Sequence, residues 1–253
     1  MQNRKTNIWL VIITFVFTLI VNFLANSLPL NGLTTGEVSD SFNVYFVPSA
    51  YVFSIWGIIY LGLIAYVVYQ ALPAQREDTR LMAMDPWFML VNIANGLWLF
   101  SWHYQAFVLS VVIMVAILYA LIRIFLALDV GKTPSKGWFK WVVEIPFSIY
   151  LGWITVATIA NVTQLLNYLN WDGFGLAPEL WLIVMLAAAV AISALMSFSR
   201  RNIPYALVLV WAFIGIAVKF PAVPLVSGGA WAAAAAVVIL LLAAVLTKKT
   251  AKR

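Results

Sequence analysis

"WFMLVNIANGLWLFSWHYQAFVLSVVIMVAILYALIRIFLAL" occupies Trp87 to Leu128 and is apolar along nearly its whole length. As one helix it would be ~63 Å long at the 1.5 Å rise of an α-helix, whereas the hydrocarbon core of a bilayer is ~30 Å thick. The stretch must therefore cross a membrane twice, and its polar cluster SWHYQ (Ser101–Gln105) is the natural turn. Asp85 and Pro86 predict the helix start, because Asp is a common N-cap and Pro is favoured at the first helical position.

The rest of the chain has the composition of a polytopic helical membrane protein. Of its 253 residues, 64% are hydrophobic and 9% are charged, whereas soluble domains carry ~25% charged residues. The apolar runs do not alternate with polar residues as the strands of a membrane β-barrel do. We therefore predict an all-α bundle of eight transmembrane helices, spans one to eight. Their expected ranges are 8–28, 50–71, 87–102, 106–127, 142–164, 180–198, 204–220 and 229–247.

The basic residues predict how these spans are oriented. With a cytoplasmic N-terminus, every Lys and Arg except Lys219 lies on the cytoplasmic side, as the positive-inside rule requires. Eight spans then place the C-terminus on the same side. The net charge of +6 is thus a topology signal, and we expect a multi-pass protein of the cell (inner or plasma) membrane, with no nucleic-acid partner. The cytoplasmic cations are Arg4, Lys5, Arg76, Arg80, Arg123, Lys132, Lys136, Lys140, Arg200, Arg201, Lys248, Lys249, Lys252 and Arg253.

Residue types alone exclude several kinds of active site. The chain has no Cys, which excludes disulfides, thiol catalysis and thiolate metal sites, and its single His103 excludes a cluster of His ligands. No carboxylate lies near the midplane of a predicted span, which counts against ion-coupled transport. Arg123 and Glu144 lie near the cytoplasmic ends of spans four and five, where we expect them to form an ion pair or Arg123 to extend to the surface.

Three predicted spans each carry a stripe of aromatic and amide side chains on one face. In span two, Phe53, Trp56 and Tyr60 are spaced i, i+3 and i+7, which places them on one side of a helix. Spans three and five repeat this spacing, and together the stripes predict a shared interior surface. The further members are Asn92, Asn95, Trp98 and Trp102 in span three, and Tyr150, Trp153, Ala157, Asn161 and Gln164 in span five.

Depth in the membrane distinguishes these residues from an aromatic belt, whose members lie at the membrane surfaces. Trp56 lies ~9 Å and Tyr60 ~15 Å inside span two, and Trp153 lies ~16 Å inside span five, at the helical rise. Because lipid offers no hydrogen bonds, deep indoles and amides need partners within the protein. Bonds that join helices are one interpretation. A ligand cavity, aromatic with a few polar groups, is the one that we favour for the set.

Two long exterior loops divide the chain. The first, about residues 29–49, is long enough for a lid or binding segment. The second, residues 167–179, separates five spans from three. We expect one unit at residues 1–170, and a second at 171–253 that holds three additional transmembrane helices and a basic C-terminal tail.

Three segments resemble the tryptophan-rich sensory protein/translocator (TspO/MBR) family. PSAYVFSIWGIIY (48–60) resembles the Pro-Pro-x-Trp-Val-Phe…Trp-x-x-x-Tyr segment that opens the family's second helix. NGLW (95–98) resembles its Asn-x-x-Trp on helix three, and YLGWITVATIAN (150–161) is similar to its Tyr-Leu-x-Trp-x-x-Phe-Ala-x-x-Leu-Asn on helix five. The resemblance covers residues 1 to about 170. Ser49 replaces the second Pro, and one residue is missing between Phe53 and Trp56.

The resemblance implies a five-helix TspO-like core whose pocket, between spans two, three and five, is capped by the first exterior loop. Members of the family bind porphyrins such as protoporphyrin IX, and some bind sterols or synthetic aromatic ligands. No cofactor is required on this view, and a bound porphyrin would be a ligand. The residues implied in ligand binding are Trp56, Tyr60, Asn95, Trp98, Tyr150, Trp153 and Asn161.

Three hypotheses of function follow. The first is a membrane receptor or sensor that binds a flat hydrophobic ligand such as a tetrapyrrole. The second is a transporter of a hydrophobic solute, to which eight spans are suited. The third, an enzyme that degrades a porphyrin, is disfavoured because the sequence offers neither a metal cluster nor an acid–base pair. The expected partners are the ligand and the lipid bilayer, and a homodimer stays open.

Overall fold

The computed structural model describes residues 4–28, 30–135 and 137–250, with side chains except those of residues 4–6, 26 and 248–250. Every regular element in these ranges is helical. Short 3₁₀ segments lie in the loops, and a π-helical turn, Lys140–Glu144, precedes α7. The α-helices are α1 (Arg4–Ser27), α2 (Thr35–Asp40), α3 (Ile55–Ala71), α4 (Thr79–His103), α5 (Phe107–Ala127), α6 (Gly137–Phe139), α7 (Ile145–Tyr168), α8 (Pro178–Arg200), α9 (Ile203–Lys219) and α10 (Pro224–Thr250).

This all-helical architecture is that of a multi-pass membrane bundle. Within the described ranges, six helices are long and apolar enough to cross a membrane, namely α1, α3, α5, α7, α8 and α10. The helix α4 has 25 residues but carries Arg80, Asp85 and the two buried amides Asn92 and Asn95. The helix α9 is apolar and has 17 residues. A membrane crossing by α4 and by α9, and hence the full set of eight spans, stays a prediction.

The start of α4 corrects the sequence analysis. The helix begins at Thr79, and its N-cap is Asp78, whose carboxylate accepts the backbone N–H groups of Arg80 and Leu81. Pro86 lies inside the helix. The prediction that Asp85 and Pro86 begin it was wrong, because Asp78 satisfies the first free N–H groups two turns earlier.

The predicted ion pair between Arg123 and Glu144 does not form. The guanidinium of Arg123 lies 4.6 Å from the ring centroid of Trp87 and donates to the Tyr119 hydroxyl at 3.1 Å. Glu144 accepts a hydrogen bond from Ser135 Oγ. Similar depth in the membrane was therefore not enough to bring the two charges together, because each side chain has other partners.

The long central helix α7 organises the bundle, since it packs against α3, α5 and α9. In its most apolar stretch 67% of the residues are buried, against 28–39% in the other five candidate spans. On one side, α5 packs against α7, α4 packs against α5, and α1 packs against α4. On the other side α9 packs against α7 and α10, and α10 packs against α8.

The two ends of the bundle carry different features. At the α2 end (α2 with the last residues of α4, α7 and α9), Gln164 Nε2 donates to Ser39 Oγ at 2.8 Å. At the basic end (loops 72–78 and 128–135 with the turn Arg200–Asn202), Arg200 pairs with Asp129 at 3.4 Å. Several cations expected here lie outside the described side chains, namely Arg4, Lys5, Lys136, Lys248, Lys249, Lys252 and Arg253.

The C-terminal helices contact the segment that precedes α3. The backbone N–H and the hydroxyl of Ser49 both donate to the Gly215 carbonyl of α9, each at 3.1 Å. Trp211 Nε1 donates to the Val52 carbonyl at 3.1 Å. A proline at residue 49, as in the family that the sequence resembles, would have no N–H for the first of these bonds. The serine thus fits a chain in which α9 covers this segment. The division of the chain at about residue 170 stays a prediction.

We predict that Gly215→Ala destabilises the bundle. A Cβ at this position would overlap Val52 Cγ2 and approach Pro48 Cβ to 3.0 Å, and overpacking of this kind costs about 1–3 kcal/mol. Thermal unfolding in detergent measures the effect. The matched control is Gly228→Ala on α10, where a Cβ meets nothing within 4 Å. An equal unfolding midpoint for the two variants would show that this junction is not tightly packed.

Candidate functional site

A cavity of about 620 Å³ lies between α1, α3 and α4, beneath the N-terminus of α2. Its wall is largely aromatic and aliphatic, with a few hydroxyl and amide groups. Sites for small molecules have this composition, and their volumes are typically ~300–1,000 Å³. The lining residues are Leu19, Asn22, Phe23, Ser27, Thr34, Thr35, Gly36, Ala50, Phe53, Trp56, Tyr60, Trp98 and Leu99.

The aromatic wall of this cavity comes from the start of α3. Phe53 belongs to the 3₁₀ turn Ala50–Ser54, and three residues per turn bring Phe53 and Trp56 to the same side. One α-helical turn later, Tyr60 stacks on Trp56 with ring centroids 5.3 Å apart and planes 17° from parallel. The predicted stripe of span two is therefore one continuous surface, and all three rings line the cavity.

The space between α3, α4 and α7, where the resemblance implies the pocket, is almost filled by rings. Trp56 packs edge-on against Tyr150 and Trp153, with centroids 5.7 and 6.2 Å apart. A cavity of about 50 Å³ is left there, and Trp56, Trp98, Trp153 and Asn161 are among its lining residues. Trp56 lines both the small cavity and the large one, as do Thr35, Phe53 and Trp98.

The indole of Trp153 contributes an unused donor at the small cavity. The residue is only 3% exposed, and its Nε1–H has no hydrogen-bond partner in the protein. A buried polar group left in this state costs about 1–3 kcal/mol. The small cavity therefore offers a hydrogen-bond donor to any acceptor atom that enters it.

The amides of the stripes join helices to one another. Asn22 Nδ2 donates to Asn95 Oδ1 at 2.8 Å, and Asn95 Nδ2 donates to the Tyr150 hydroxyl at 3.3 Å. This chain of bonds connects α1, α4 and α7. A second set connects α4, α7 and α5, because Asn161 accepts from Trp98 Nε1 at 3.1 Å and donates to Ser110 Oγ at 3.0 Å. Both interpretations of the stripes, helix-joining bonds and a cavity wall, thus apply to different residues.

The seven residues implied in ligand binding occupy three positions. Trp56, Tyr60 and Trp98 line the large cavity. Trp153 and Asn161 line only the small one. Asn95 and Tyr150 lie behind the aromatic wall and are bonded to each other. The structure brings all seven into one cluster, and their role in ligand binding stays a prediction.

Sequence analysis missed the contribution of α1 to this site. Thr14, Thr18 and Asn22 are spaced i, i+4 and i+8, so they form a polar stripe on one face of α1. Thr18 Oγ1 donates to the Asn92 carbonyl at 2.9 Å, and Asn92 Nδ2 donates to Thr14 Oγ1 at 3.3 Å. The spacing of these three residues was the signal that could have revealed that α1 faces the predicted stripe on α4.

The N-terminus of the short helix α2 closes one end of the large cavity. Several hydrogen bonds hold α2 in this position. Thr34 and Glu37 form a capping box at its N-terminus. These bonds, first from the Thr34 backbone and then from its side chain, hold the pKa of Glu37 below its usual value. Trp102 Nε1 donates to the Thr35 carbonyl at 3.2 Å, and His103 Nε2 shares a hydrogen bond with Thr35 Oγ1 at 2.9 Å. The predicted loop lid is therefore a fixed helical cap.

Among the described residues, no group of three or more His, Asp and Glu side chains is placed so that it could hold a metal ion. His103, which the sequence analysis singled out because it is the chain's single histidine, contacts Thr35 and the Leu30 carbonyl instead. Its observed role is to hold the cap.

Comparison with known proteins gives one match. A family model described as "TSPO-like protein" matches residues 8–245. The matched range includes α8, α9 and most of α10, and so it extends beyond the five spans that carry the sequence resemblance. No curated protein and no solved structure matches the chain.

We predict that Asn95→Ala weakens the bundle at the junction of α1, α4 and α7. The change leaves the amide of Asn22 and the hydroxyl of Tyr150 without this partner, which costs about 1–3 kcal/mol. The thermal unfolding midpoint in detergent measures the loss. Asn167→Ala, at an exposed position on α7, is the control and should change stability by less than about 0.5 kcal/mol. Equal midpoints for both variants would contradict a central role for Asn95.

Proposed function

The chain belongs to the TSPO-like protein family, and on that premise we propose that it is a membrane receptor or sensor for a flat hydrophobic ligand of the porphyrin or tetrapyrrole class. The observation that carries the proposal is the stacked pair Trp56 and Tyr60 on the wall of a cavity of about 620 Å³. The pair presents a broad aromatic surface in an apolar bundle. A planar macrocycle is the kind of ligand that such a surface suits.

In this proposal the ligand lies on the α1 side of the aromatic wall. The opposite side, between α3, α4 and α7, has only about 50 Å³ of space left, which is too little for a macrocycle. The rings of Trp56, Tyr60 and Phe53 would contact the face of the ligand, and each aromatic contact of this kind contributes about 0.5–1.5 kcal/mol. Asn22, Thr34 and Thr35, which also line the cavity, would bind polar groups at its edge.

The proposal also places all eight long helices across the cell (inner or plasma) membrane, with both termini in the cytoplasm. The support is that α4 and α9 join the same two ends as the apolar helices do. The helix α4 begins at its Asp78 cap and ends at His103, which contacts α2. The helix α9 begins at Asn202, beside Ser148, and ends at Lys219, which pairs with Asp40.

We predict that Trp56→Leu weakens binding of protoporphyrin IX roughly tenfold. The substitution removes the central ring of the wall, and tenfold in Kd corresponds to about 1.4 kcal/mol, within the range of one or two aromatic contacts. Titration of the protein in lipid nanodiscs, followed by the absorbance of the porphyrin, measures Kd. Trp231→Leu is the control, because this tryptophan lies on α10 and is half exposed.

An unchanged Kd in a folded Trp56→Leu variant would refute the site. The same material separates the other two hypotheses of function. Flux of the porphyrin into proteoliposomes would favour the transporter. A light-dependent change in the spectrum of the bound porphyrin, with identified products, would favour the degrading enzyme.

The orientation is testable because the chain contains no Cys, so that any introduced thiol is unique. We predict that a membrane-impermeant maleimide labels intact cells with Phe174→Cys but not those with Trp138→Cys. Phe174 lies in the loop before α8, and Trp138 lies at the basic end; both are largely exposed. Labelling of Trp138→Cys alone in intact cells would reverse the proposed orientation.

A further inference from the structure

A second cavity, of about 510 Å³, lies at the basic end and is separate from the proposed ligand site. Three parts of the chain form it: the loop after α5, the π-helical turn before α7, and the turn between α8 and α9. Four cations line its wall, namely Lys132, Lys140, Arg200 and Arg201. We call this cavity the basic pocket.

The two arginines of the basic pocket are held in place by the backbone. Arg200 donates to the Val130 carbonyl at 3.2 Å, and its guanidinium pairs with Asp129 at 3.4 Å. Arg201 Nε donates to the Ala244 carbonyl of α10 at 3.0 Å. The loop is pressed so closely to the end of α8 that a Cβ at Gly131, whose φ is +80°, would overlap the Arg200 carbonyl. The two arginines of the wall are therefore preorganised.

The balance of charge around the pocket favours an anion. Its one lining carboxylate, Glu144, is buried and accepts a hydrogen bond from Ser135. Asp129, outside the lining, is occupied by Thr133 and Arg200. Lys132 and Lys140, which also line the pocket, are exposed.

Exposed tryptophans beside the pocket point to the source of that phosphate. Trp138 and Trp141 flank Lys140, and they are 74% and 66% exposed. Exposed Trp at the end of a membrane helix lies at the level of the lipid headgroups. Basic pockets between membrane helices bind the headgroups of anionic lipids. We propose that the basic pocket binds the phosphate of an anionic phospholipid headgroup.

The positive-inside rule explains why cations gather at one end of the bundle, but it does not explain why four of them line one cavity. Arg76 and Arg123 are exposed cations at the same end and are absent from its lining. The two explanations make different predictions. Under the rule alone, the position of a removed cation is unimportant. Under our proposal, only the cations of the pocket matter for lipid retention.

The test compares Lys132→Gln/Lys140→Gln with Arg76→Gln/Arg123→Gln, which lose the same charge at the same end. Each protein is reconstituted in nanodiscs of phosphatidylglycerol and phosphatidylcholine. Native mass spectrometry then counts the lipids that stay bound to the protein after its release from the nanodisc. Equal thermal midpoints verify the fold of both variants. A separate arm measures whether inorganic phosphate alone raises the midpoint of the unsubstituted protein.

We expect the unsubstituted protein and Arg76→Gln/Arg123→Gln to retain phosphatidylglycerol in preference to phosphatidylcholine. Lys132→Gln/Lys140→Gln should lose about tenfold or more in apparent affinity for phosphatidylglycerol, since each Lys near an anionic headgroup contributes strongly to binding. Equal losses in the two double variants, or no preference in the unsubstituted protein, would overturn the proposal. Stabilisation by inorganic phosphate with no retained phosphatidylglycerol would overturn the lipid as its source.

Discussion

The chain of hydrogen bonds from Asn22 through Asn95 to Tyr150 joins the helices that surround the aromatic wall. In a bilayer these groups have no water to bond, so their partners must come from neighbouring helices. The bonds join α1 and α7 to one side chain of α4, the amide of Asn95. The rings at the start of α3 lie between two spaces. The space toward α7 is almost filled by other side chains, and the space toward α1 is the large cavity.

Trp56 is the residue at which these two sides meet. Its edge-on contacts with Tyr150 and Trp153 fill the interior behind it, and its stack with Tyr60 forms the wall of the large cavity. The cap α2 covers that cavity through bonds to α4 and α7. The contacts of Ser49 and Trp211 then connect α9 to the segment from which the wall begins. The C-terminal helix α9 thus contacts the segment that carries the aromatic wall.

Much of this arrangement could be predicted from the sequence, because helical periodicity and membrane depth are local properties. The stripes on α3, α4 and α7 are found in this way, and the rings of Phe53, Trp56 and Tyr60 do share one surface. The direction in which a helix faces its neighbours is not local. Asn22 is an amide in an apolar helix, and its partner Asn95 lies in another helix. For the same reason Arg123 and Glu144, at similar depth, do not meet. The cap of α4 at Asp78 is a local feature, and it was missed because Asp85 and Pro86 also have the pattern of a helix start.

The central claim is that the ligand lies against Trp56 on the α1 side of the wall. Fluorine NMR of the protein labelled with 5-fluorotryptophan tests it most directly, with each of the 12 tryptophans assigned by single Trp→Phe substitutions. On addition of protoporphyrin IX, the account predicts that the resonances of Trp56 and Trp98 shift, while those of Trp211 and Trp231 stay unchanged. Shifts confined to tryptophans outside the cavity, with Trp56 unchanged, would contradict it.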